Sequence, residues 1–235
     1  MTFLIFSSQA FMSRTKVCID SIKKFHPECE IILKPFEGTH KDGYLEGLAP
    51  ERLKIALQLL EDGKEVTIMG ADCVLYDRLD SFINALGAVI LTPHVVNPPP
   101  TKSNELYQSG HANADLILFR GEGGKEVLRW LLSQEMKIDV ARGYFLEQTL
   151  LSSLPFIFEN ITIHRDETIN YAYYNFYERP LSKIDSTYYI NEKPLVMVQY
   201  SGFEVGRPEK ASKHSDIITE NEVRKLFIEY NELIS

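Results

Sequence analysis

The stretch Val66–Asp80, VTIMGADCVLYDRLD, decides how the chain is read. An apolar run, Val66 to Met69, stops at Gly70. An acid follows at Asp72, and apolar residues resume before Asp77 and Asp80. The pattern is that of a short buried strand whose carboxyl end carries a carboxylate. In an open α/β sheet the binding crevice lies beyond the carboxyl ends of the strands, near a switch in strand order. Asp72 occupies such an end, and so does the loop following Leu91. The bland reading of Asp72 is a turn residue that ends a strand, a common place for Asp.

Working outward, Phe3 to Phe6 reads as a buried strand. Ser13 to Phe25 has helical spacing in Val17, Ile19, Ile22 and Phe25, and His26-Pro27 ends it. Glu30 to Leu33 is a second strand, and Gly38 to Gly47 is loop-like. Pro50 to Glu61 is a helix with Pro at its start. Asp62-Gly63 then turns into Val66–Met69. Strands are further expected at Ala88–Leu91, Leu116–Phe119, Ile161–Ile163, Thr187–Ile190 and Leu195–Val198. Asn97-Pro-Pro-Pro100 is a stiff loop, and Gly121–Gly124 breaks the chain before a helix from Lys125 to about Gln134. Glu147–Leu151 lies in another helix, and Glu220–Leu233 closes the chain. Strands alternating with helices imply a central, mostly parallel sheet covered by helices. We expect one domain spanning residues 1–235.

The bulk numbers fit a globular α/β chain. Apolar residues make up 44% and charged residues 25% of the 235 residues, enough to fill a sizeable core. A net charge of −8 argues against broad nucleic-acid binding, which needs clustered Lys and Arg. The three cysteines, Cys18, Cys29 and Cys73, have no CxxC spacing, so neither a disulfide framework nor a zinc site is signalled. The opening MTFLIFSSQAF has a short apolar run without a basic region, so no signal peptide is expected. No window approaches the ~18 apolar residues of a membrane span. A reduced, cytoplasmic setting is the expectation. GxxxxGK[ST], GxGxxG, HExxH and GxSxG do not occur, which removes the usual signals of kinases, dehydrogenases, zinc proteases and serine hydrolases.

Several segments together resemble nucleotide-sugar-dependent glycosyltransferases of the GT-A fold, of the small bacterial and phage type. The opening strand, Ser-rich turn, helix and HPECEI are similar to that family's first nucleotide-binding unit. MGADCVLYDRL stands where the family carries its DxD metal-binding segment, and YQSGHANADLILFRG resembles its Gly-x-x-Asn segment. GYFLEQTLLSSLPFIF resembles a Phe-x-Asp-Gln helix start, and INYAYYNFYER an Asn-x-Ala-Tyr-Trp-Asn segment. PLVMVQYSGFE with ASKH resembles Phe-His-Phe-Ser-Gly-Phe with a distal Ser-Lys-His. The resemblance covers nearly the whole chain. It departs at Gly70, which replaces the first acid of DxD, and at Gln199, which replaces the His of the second metal segment. Losing a carboxylate and an imidazole weakens any cage for a hard cation.

What the resemblance implies is transfer of a sugar from a nucleoside diphosphate sugar to an acceptor hydroxyl, with Mn2+ or Mg2+ in doubt. Residues 1–120 would form a nucleotide-sugar half and 121–235 an acceptor half. Ser7, Asp72, Asn113, Asp115, Gly202, Lys213 and His214 are candidates for the donor, with Asp72 also a candidate metal ligand. Lys213 and His214 would meet the diphosphate as electrostatic catalysts. Arg52, Lys54 and Arg179 are further cations. Asp115 stands where the family commonly has Gly and would read sugar hydroxyls. Glu147, Gln148, Asn170, Tyr174 and Asn175 are candidates for the acceptor. Glu147 and Asp72 are the catalytic candidates, Glu147 as an orienting group or general base. Ser201, Gly202 and Phe203 form a tight loop, with Gly202 allowing close backbone approach. His94 is a candidate for the acceptor cleft. The acceptor is a surface glycan or a hydroxymethylated base of phage DNA. The DNA reading would use a basic strip of Arg165, Arg179, Lys183, Arg207, Lys210 and Lys213. The alternative outside catalysis is a nucleotide-sugar-binding relative acting as a partner subunit, favoured by Gly70 and Gln199. A sugar nucleotidyltransferase would need a Gly-rich basic loop after the first strand, which FSSQAFMSR lacks.

Overall fold

A computed structural model describes residues 1–36, 44–96 and 110–235. The chain runs β1 (Thr2–Ser7), α1 (Met12–Phe25), β2 (Glu30–Pro35), α2 (Tyr44–Glu61), β3 (Val66–Met69) and β4 (Cys73–Leu75). It continues through β5 (Val89–Pro93), β6 (Ala112–Phe119), α3 (Gly121–Ser133), β7 (Ile138–Asp139), β8 (Tyr144–Phe145), α4 (Leu146–Ile157) and β9 (Ile161–Ile163). The last elements are β10 (Leu181–Ile184), β11 (Thr187–Ile190), β12 (Lys193–Pro194), β13 (Met197–Gln199) and α5 (Asn221–Ile234). Two compact units are drawn from interleaved segments. The first holds Met1–Gln9, Cys29–Gly70 and Asp80–Arg165; the second holds Ala10–Glu28, Ala71–Leu79 and Asp166–Ser235.

The first unit is a six-stranded sheet in the order β2-β1-β3-β6-β5-β9. β2, β3 and β9 each pair in parallel with a neighbour, whereas β6 runs antiparallel to both β3 and β5. Five strands therefore point one way and β6 the other. β1, β3 and β5 are buried throughout, as strands covered on both faces are. One face packs on helices through Leu53, Ala56 and Leu60 of α2, Leu128 and Leu131 of α3, and Leu151 and Leu154 of α4. At about 25 cal/mol per Å2, each such buried leucine contributes on the order of 2 kcal/mol.

The reversal of β6 places the site. Its amino-terminal half, Ala112 to Asp115, lies at the same edge as the carboxyl ends of β3 and β5. Met69 faces Leu116, the Gly70 amide donates to the Asp115 carbonyl at 2.9 Å, and Pro93 faces Ala112. A register shift between Leu91 and Thr92 bends this corner, as bulges beside binding sites do.

The second unit pairs β13 with β4 antiparallel and carries the hairpin sheet β10-β11-β12. Its core joins Tyr171, Tyr200, Phe227 and Tyr230, with the Tyr200 and Tyr230 rings stacked at 3.5 Å between centroids.

Several sequence expectations change here. The helix expected from Pro50 begins at Tyr44, so Pro50 lies inside it. One i→i−4 bond is lost there, and burial of Ala49, Leu53 and Ala56 on the same helix offsets that loss. The Gly38–Gly47 loop falls partly outside the described residues, and its last four positions are helical. The Asn97–Pro100 loop lies wholly outside them. The strand at Leu116–Phe119 begins earlier, at Ala112, so Asn113 and Asp115 are strand residues. Gly121–Gly124 starts α3 instead of breaking the chain before it. The reason is packing: a Cβ on Gly123 would lie 2.7 Å from the Ala88 Cβ. Gly123→Ala is therefore expected to cost 1–3 kcal/mol, roughly the penalty of overpacking, read as a lower urea midpoint at unchanged slope.

Candidate active site

In the first unit, a buried cation collects the predicted acids. Arg52 sits on α2 and is 9% exposed. Its Nη2 donates to Glu147 Oε1, and its Nη1 lies 3.4 Å from Asp115 Oδ1. Glu147 is 2% exposed, while the Asp115 side chain keeps about a third of its surface open. Burial pushes the Arg52 guanidinium below its ordinary value, and Asp115 opposes that shift; it stays charged, as Arg does in proteins. Glu147 stands in the first turn of α4, where the helix dipole favours an acid. That turn starts from an unusual backbone, since Leu146, a bulky residue, adopts φ 51°.

Neighbouring contacts hold these acids in place. The Asn113 side chain accepts from the Asp115 amide at 2.7 Å, and the buried Asn113 thereby shapes the start of β6. Gln148 Oε1 accepts from the Ala114 amide at 3.3 Å. His94 Nδ1 donates to the Gly110 carbonyl at 2.8 Å, which fixes the tautomer, and the ring also bonds the Gln148 side chain. Burial pulls His94 down to about 4 against the favourable Gly110 carbonyl, Asp115 and Gln148, so it is neutral near pH 7. Gly110 (φ 84°) is required, because a Cβ there would lie 2.7 Å from the Gln148 carbonyl oxygen. Gly70 is required as well. Its Cβ would fall 2.9 Å from both Cβ and Cγ of Asp115.

The result is a pocket of about 120 Å3 lined by Arg52, Asp115, Glu147 and Gln148, with apolar walls from Leu48, Phe145 and Leu146. Apolar walls with a few converging polar groups are the usual make-up of a small-ligand site. Ser7 lies at the end of β1, where its hydroxyl donates to the Ser8 carbonyl at 3.1 Å.

The second unit holds the remaining candidates. Asp72 is half-buried. Its carbonyl accepts from the Tyr200 amide at 2.9 Å, and Cys73 pairs with Gln199 across β4 and β13. The Tyr174 hydroxyl lies 2.6 Å from Gln199 Oε1 and 3.0 Å from Asn170 Oδ1. A phenol carries one hydrogen, so one of these amides must present its nitrogen. Asn170, at φ 60°, is fully buried. Asn175 is committed to the same loop, accepting from the Ala172 amide and donating to the Asn170 carbonyl. Arg179 is buried too; it donates to the Ile169 and Asn170 carbonyls and pairs with Glu178. Gly202 (φ 68°) meets Ser212: a Cβ there would lie 2.5 Å from Ser212 Oγ. Its carbonyl accepts from the Lys213 amide at 2.8 Å. This contact sets Lys213 and His214, both exposed, beside the glycine turn. Burial, and the Asp72 charge, push the Cys18 thiol far up, so it is no nucleophile.

No protein-family model matches the sequence, and no curated protein does. Solved structures do match. A crystal structure of the galactosyltransferase LgtC, in complex with donor and acceptor sugar analogs, is 13% identical with a TM-score of 0.56, over 99% of this chain and 95% of its own. A glycosyltransferase involved in glycosylation of the major capsid of PBCV-1 is 13% identical with a TM-score of 0.58, over 98% of both chains. The glycosyltransferase GlyE of Streptococcus pneumoniae TIGR4 gives 12% and 0.56, over 99% of this chain and 61% of its own. The fold is that of the GT-A glycosyltransferases. At such identity the architecture is what is shared.

Proteins of this fold often use a divalent metal. Among the described residues, Asp72 belongs to no group of three His, Cys, Asp or Glu ligand atoms within 4.8 Å of one another. Gln199 is engaged by Tyr174, and Gly70 brings no side chain. A hard dication prefers several convergent oxygens, and these residues do not make a resident site for one.

The sequence named Glu147, Gln148 and Asp115 separately, and the structure brings them to one pocket, with Asn113 buried behind Asp115 and bonded to its amide. It passed over the part of Arg52, which appeared only as one cation among several. Lys54, on the same helix, is exposed beside Glu51. A positively charged residue on the apolar, core-facing side of α2, two positions after Pro50 and one before Leu53, was the available signal. Arg52→Ala should cost 3–5 kcal/mol, about the penalty of stranding a buried charge, and Glu147→Gln in the same chain should restore part of it in urea unfolding. His94 sets a pH slope. Its folded pKa lies below the unfolded ~6.5, so the unfolded chain binds the extra proton. Stability should fall as pH drops from about 6.5 to about 4, by roughly 3 kcal/mol at most, and His94→Gln should flatten that slope.

Proposed function

We propose that the protein is a glycosyltransferase, moving a sugar from a nucleoside diphosphate sugar to a hydroxyl of a glycan. The observation that carries this is the pocket where Arg52 holds Asp115 and Glu147. Two carboxylates, a guanidinium and an amide offer directional partners to the hydroxyls of a pyranose, and Phe145 and Leu146 offer a surface to its apolar face. Asp115 and Glu147 share one guanidinium, so they serve the same sugar, the donor's glycosyl group. Gln148, held by Ala114 and His94, presents a fixed amide beside it.

In the reaction the acceptor oxygen bonds to the anomeric carbon, the bond from that carbon to the diphosphate oxygen breaks, the nucleoside diphosphate leaves with the electron pair, and the proton of the acceptor hydroxyl passes to the departing diphosphate oxygen. Glu147 is tied to Arg52, which suits an orienting carboxylate better than a base. Lys213 and His214, exposed beside the Gly202 turn of the second unit, are groups of the kind that meet a leaving diphosphate, where stabilisation of developing charge lowers the barrier. Within the second unit, Asp72 and the Tyr174–Gln199–Asn170 contacts are the polar candidates for donor and acceptor, with Asn175 holding their loop. Positioning of the two substrates provides much of the rate gain.

A glycan acceptor is favoured over DNA by the fate of the basic strip. Arg179 is buried against carbonyls, Lys183 is bound by Glu229, and Arg207 lies between Glu204 and Glu209. Cations neutralised in this way do not track a phosphate backbone.

The test is thermal stability with a panel of nucleoside diphosphate sugars, each with Mn2+ and with EDTA, followed by donor hydrolysis. At a hundredfold excess over Kd, the cognate donor should raise the melting temperature by about 5–10 °C, a shift that survives EDTA and is lost in Glu147→Gln. Binding without hydrolysis or transfer would mark a non-catalytic nucleotide-sugar-binding subunit. No shift with any donor would sink the reading.

A further inference from the structure

The sheet of the first unit ends at β2 on one side and at β9 on the other, and the two edges differ. β2 closes with Lys34-Pro35, and a lysine or a proline is a usual means of keeping an edge from pairing with another chain. β9 reads Ile161-Thr162-Ile163. It carries no charge and no proline, and each of its residues is β-branched, which suits a pleated sheet.

The ladder with β5 fixes which groups of β9 are left over. The Asn160 carbonyl accepts from the Val89 amide, and the His164 amide donates to the Leu91 carbonyl at 2.7 Å. Backbone groups alternate in direction along a paired strand. Asn160, Thr162 and His164 therefore turn theirs to β5, and Ile161 and Ile163 turn theirs outward. Among the described residues none bonds the outward amides and carbonyls. Apolar surface flanks this edge on both faces. Ile161 packs on the core that holds Leu151 and Leu154 of α4, and α4 ends in Phe156 and Ile157, 91% and 49% exposed. On the other face Thr162 Oγ1 donates to the carbonyl of Leu86, whose side chain is also exposed.

We propose that β9 pairs antiparallel with β9 of a second copy of this chain, so that one sheet runs through both. The segment complements itself. With a two-fold axis at Thr162, Ile161 of one copy exchanges both backbone hydrogen bonds with Ile163 of the other, and the axis repeats the exchange. Isoleucine then faces isoleucine across the strands, a favourable β-branched pair. Glu159, just ahead of the strand, comes near Arg165 of the other copy, just after it, and both are exposed. Parallel pairing would set acid beside acid instead. A slip of one residue would put outward groups against inward ones, and Asn160, at φ 61°, ends the strand on its amino side. The inference stands apart from the donor reading, since β9 lends no residue to the described lining of the pocket.

Sedimentation velocity of the full chain is the test. A ladder this short makes a small interface, so Kd should be on the order of tens of micromolar, with the sedimentation coefficient climbing from monomer to dimer across that range. Ile163→Pro removes an outward amide and no bond to β5, and an edge strand accepts proline where the N–H faces outward. It should raise Kd by about tenfold or more, with near-ultraviolet circular dichroism unchanged. The flanking charges give a second test that leaves the backbone alone. Glu159→Arg should raise Kd about threefold by setting like charges across the axis. Adding Arg165→Glu to that chain should bring Kd back to within about twofold of the starting value. A monomer at every concentration overturns the proposal. So does a dimer untouched by Ile163→Pro, which would be built on another face. Should Ile163→Pro fail to fold, the charge exchange decides: a Kd that Glu159→Arg leaves unchanged, or that Arg165→Glu does not restore, overturns the antiparallel pairing.

Discussion

A guanidinium removed from water on α2 has to be answered by carboxylates, and the answer ties three elements together. Arg52 comes from the helix before β3, Asp115 from the reversed strand β6, and Glu147 from the first turn of α4. A buried ion pair is weak evidence for stability, because desolvation offsets much of the attraction. Its effect here is geometric. Each partner is costly to leave alone, so the helix, the strand end and the helix start can only be arranged in ways that keep all three groups together. The glycine at 70 is a consequence of that closeness, since it adjoins Asp115 with no room for a Cβ, and Gly110 meets the backbone of Gln148, the residue after Glu147, in the same way.

Local signals carried much of the fold. β1 and β3 are short apolar runs, α1 ends at His26-Pro27, and α5 repeats apolar residues at helical spacing; all stand where the sequence put them. Periodicity reports burial and not direction, so it did not reveal that β6 runs against its neighbours. Pro50 and Gly121–Gly124 were read by their intrinsic preferences, and tertiary contacts overrode both. In each case a helix that buries several apolar residues tolerates poor helix formers, one proline in α2 and three glycines at the start of α3. The short β10 to β12 hairpin sheet was half seen, because only its middle strand has a conspicuous apolar and aromatic run.

The site was legible by type and not by grouping. Resemblance to a glycosyltransferase pattern picked out Asn113, Asp115, Glu147 and Gln148, but Arg52 lies 63 and 95 positions from its two acids. No local pattern links residues that far apart; the sheet order does. Arg179 shows the reverse error. In the sequence it was a free cation among others, and in the structure it is an internal strut that satisfies the carbonyls of its own loop.

Leu146 has an effect of a different kind. A leucine at φ 51° occupies a backbone region that costs about 1–3 kcal/mol for such a residue. A glycine would sit there without strain. It would also free the first turn of α4 to sample other directions, and Glu147, the next residue, would lose the fixed line along which it meets Arg52. Leu146 is also buried, at 7% exposed, and the apolar surface it removes from water offsets the strain, so one side chain both anchors the turn and aims its neighbour.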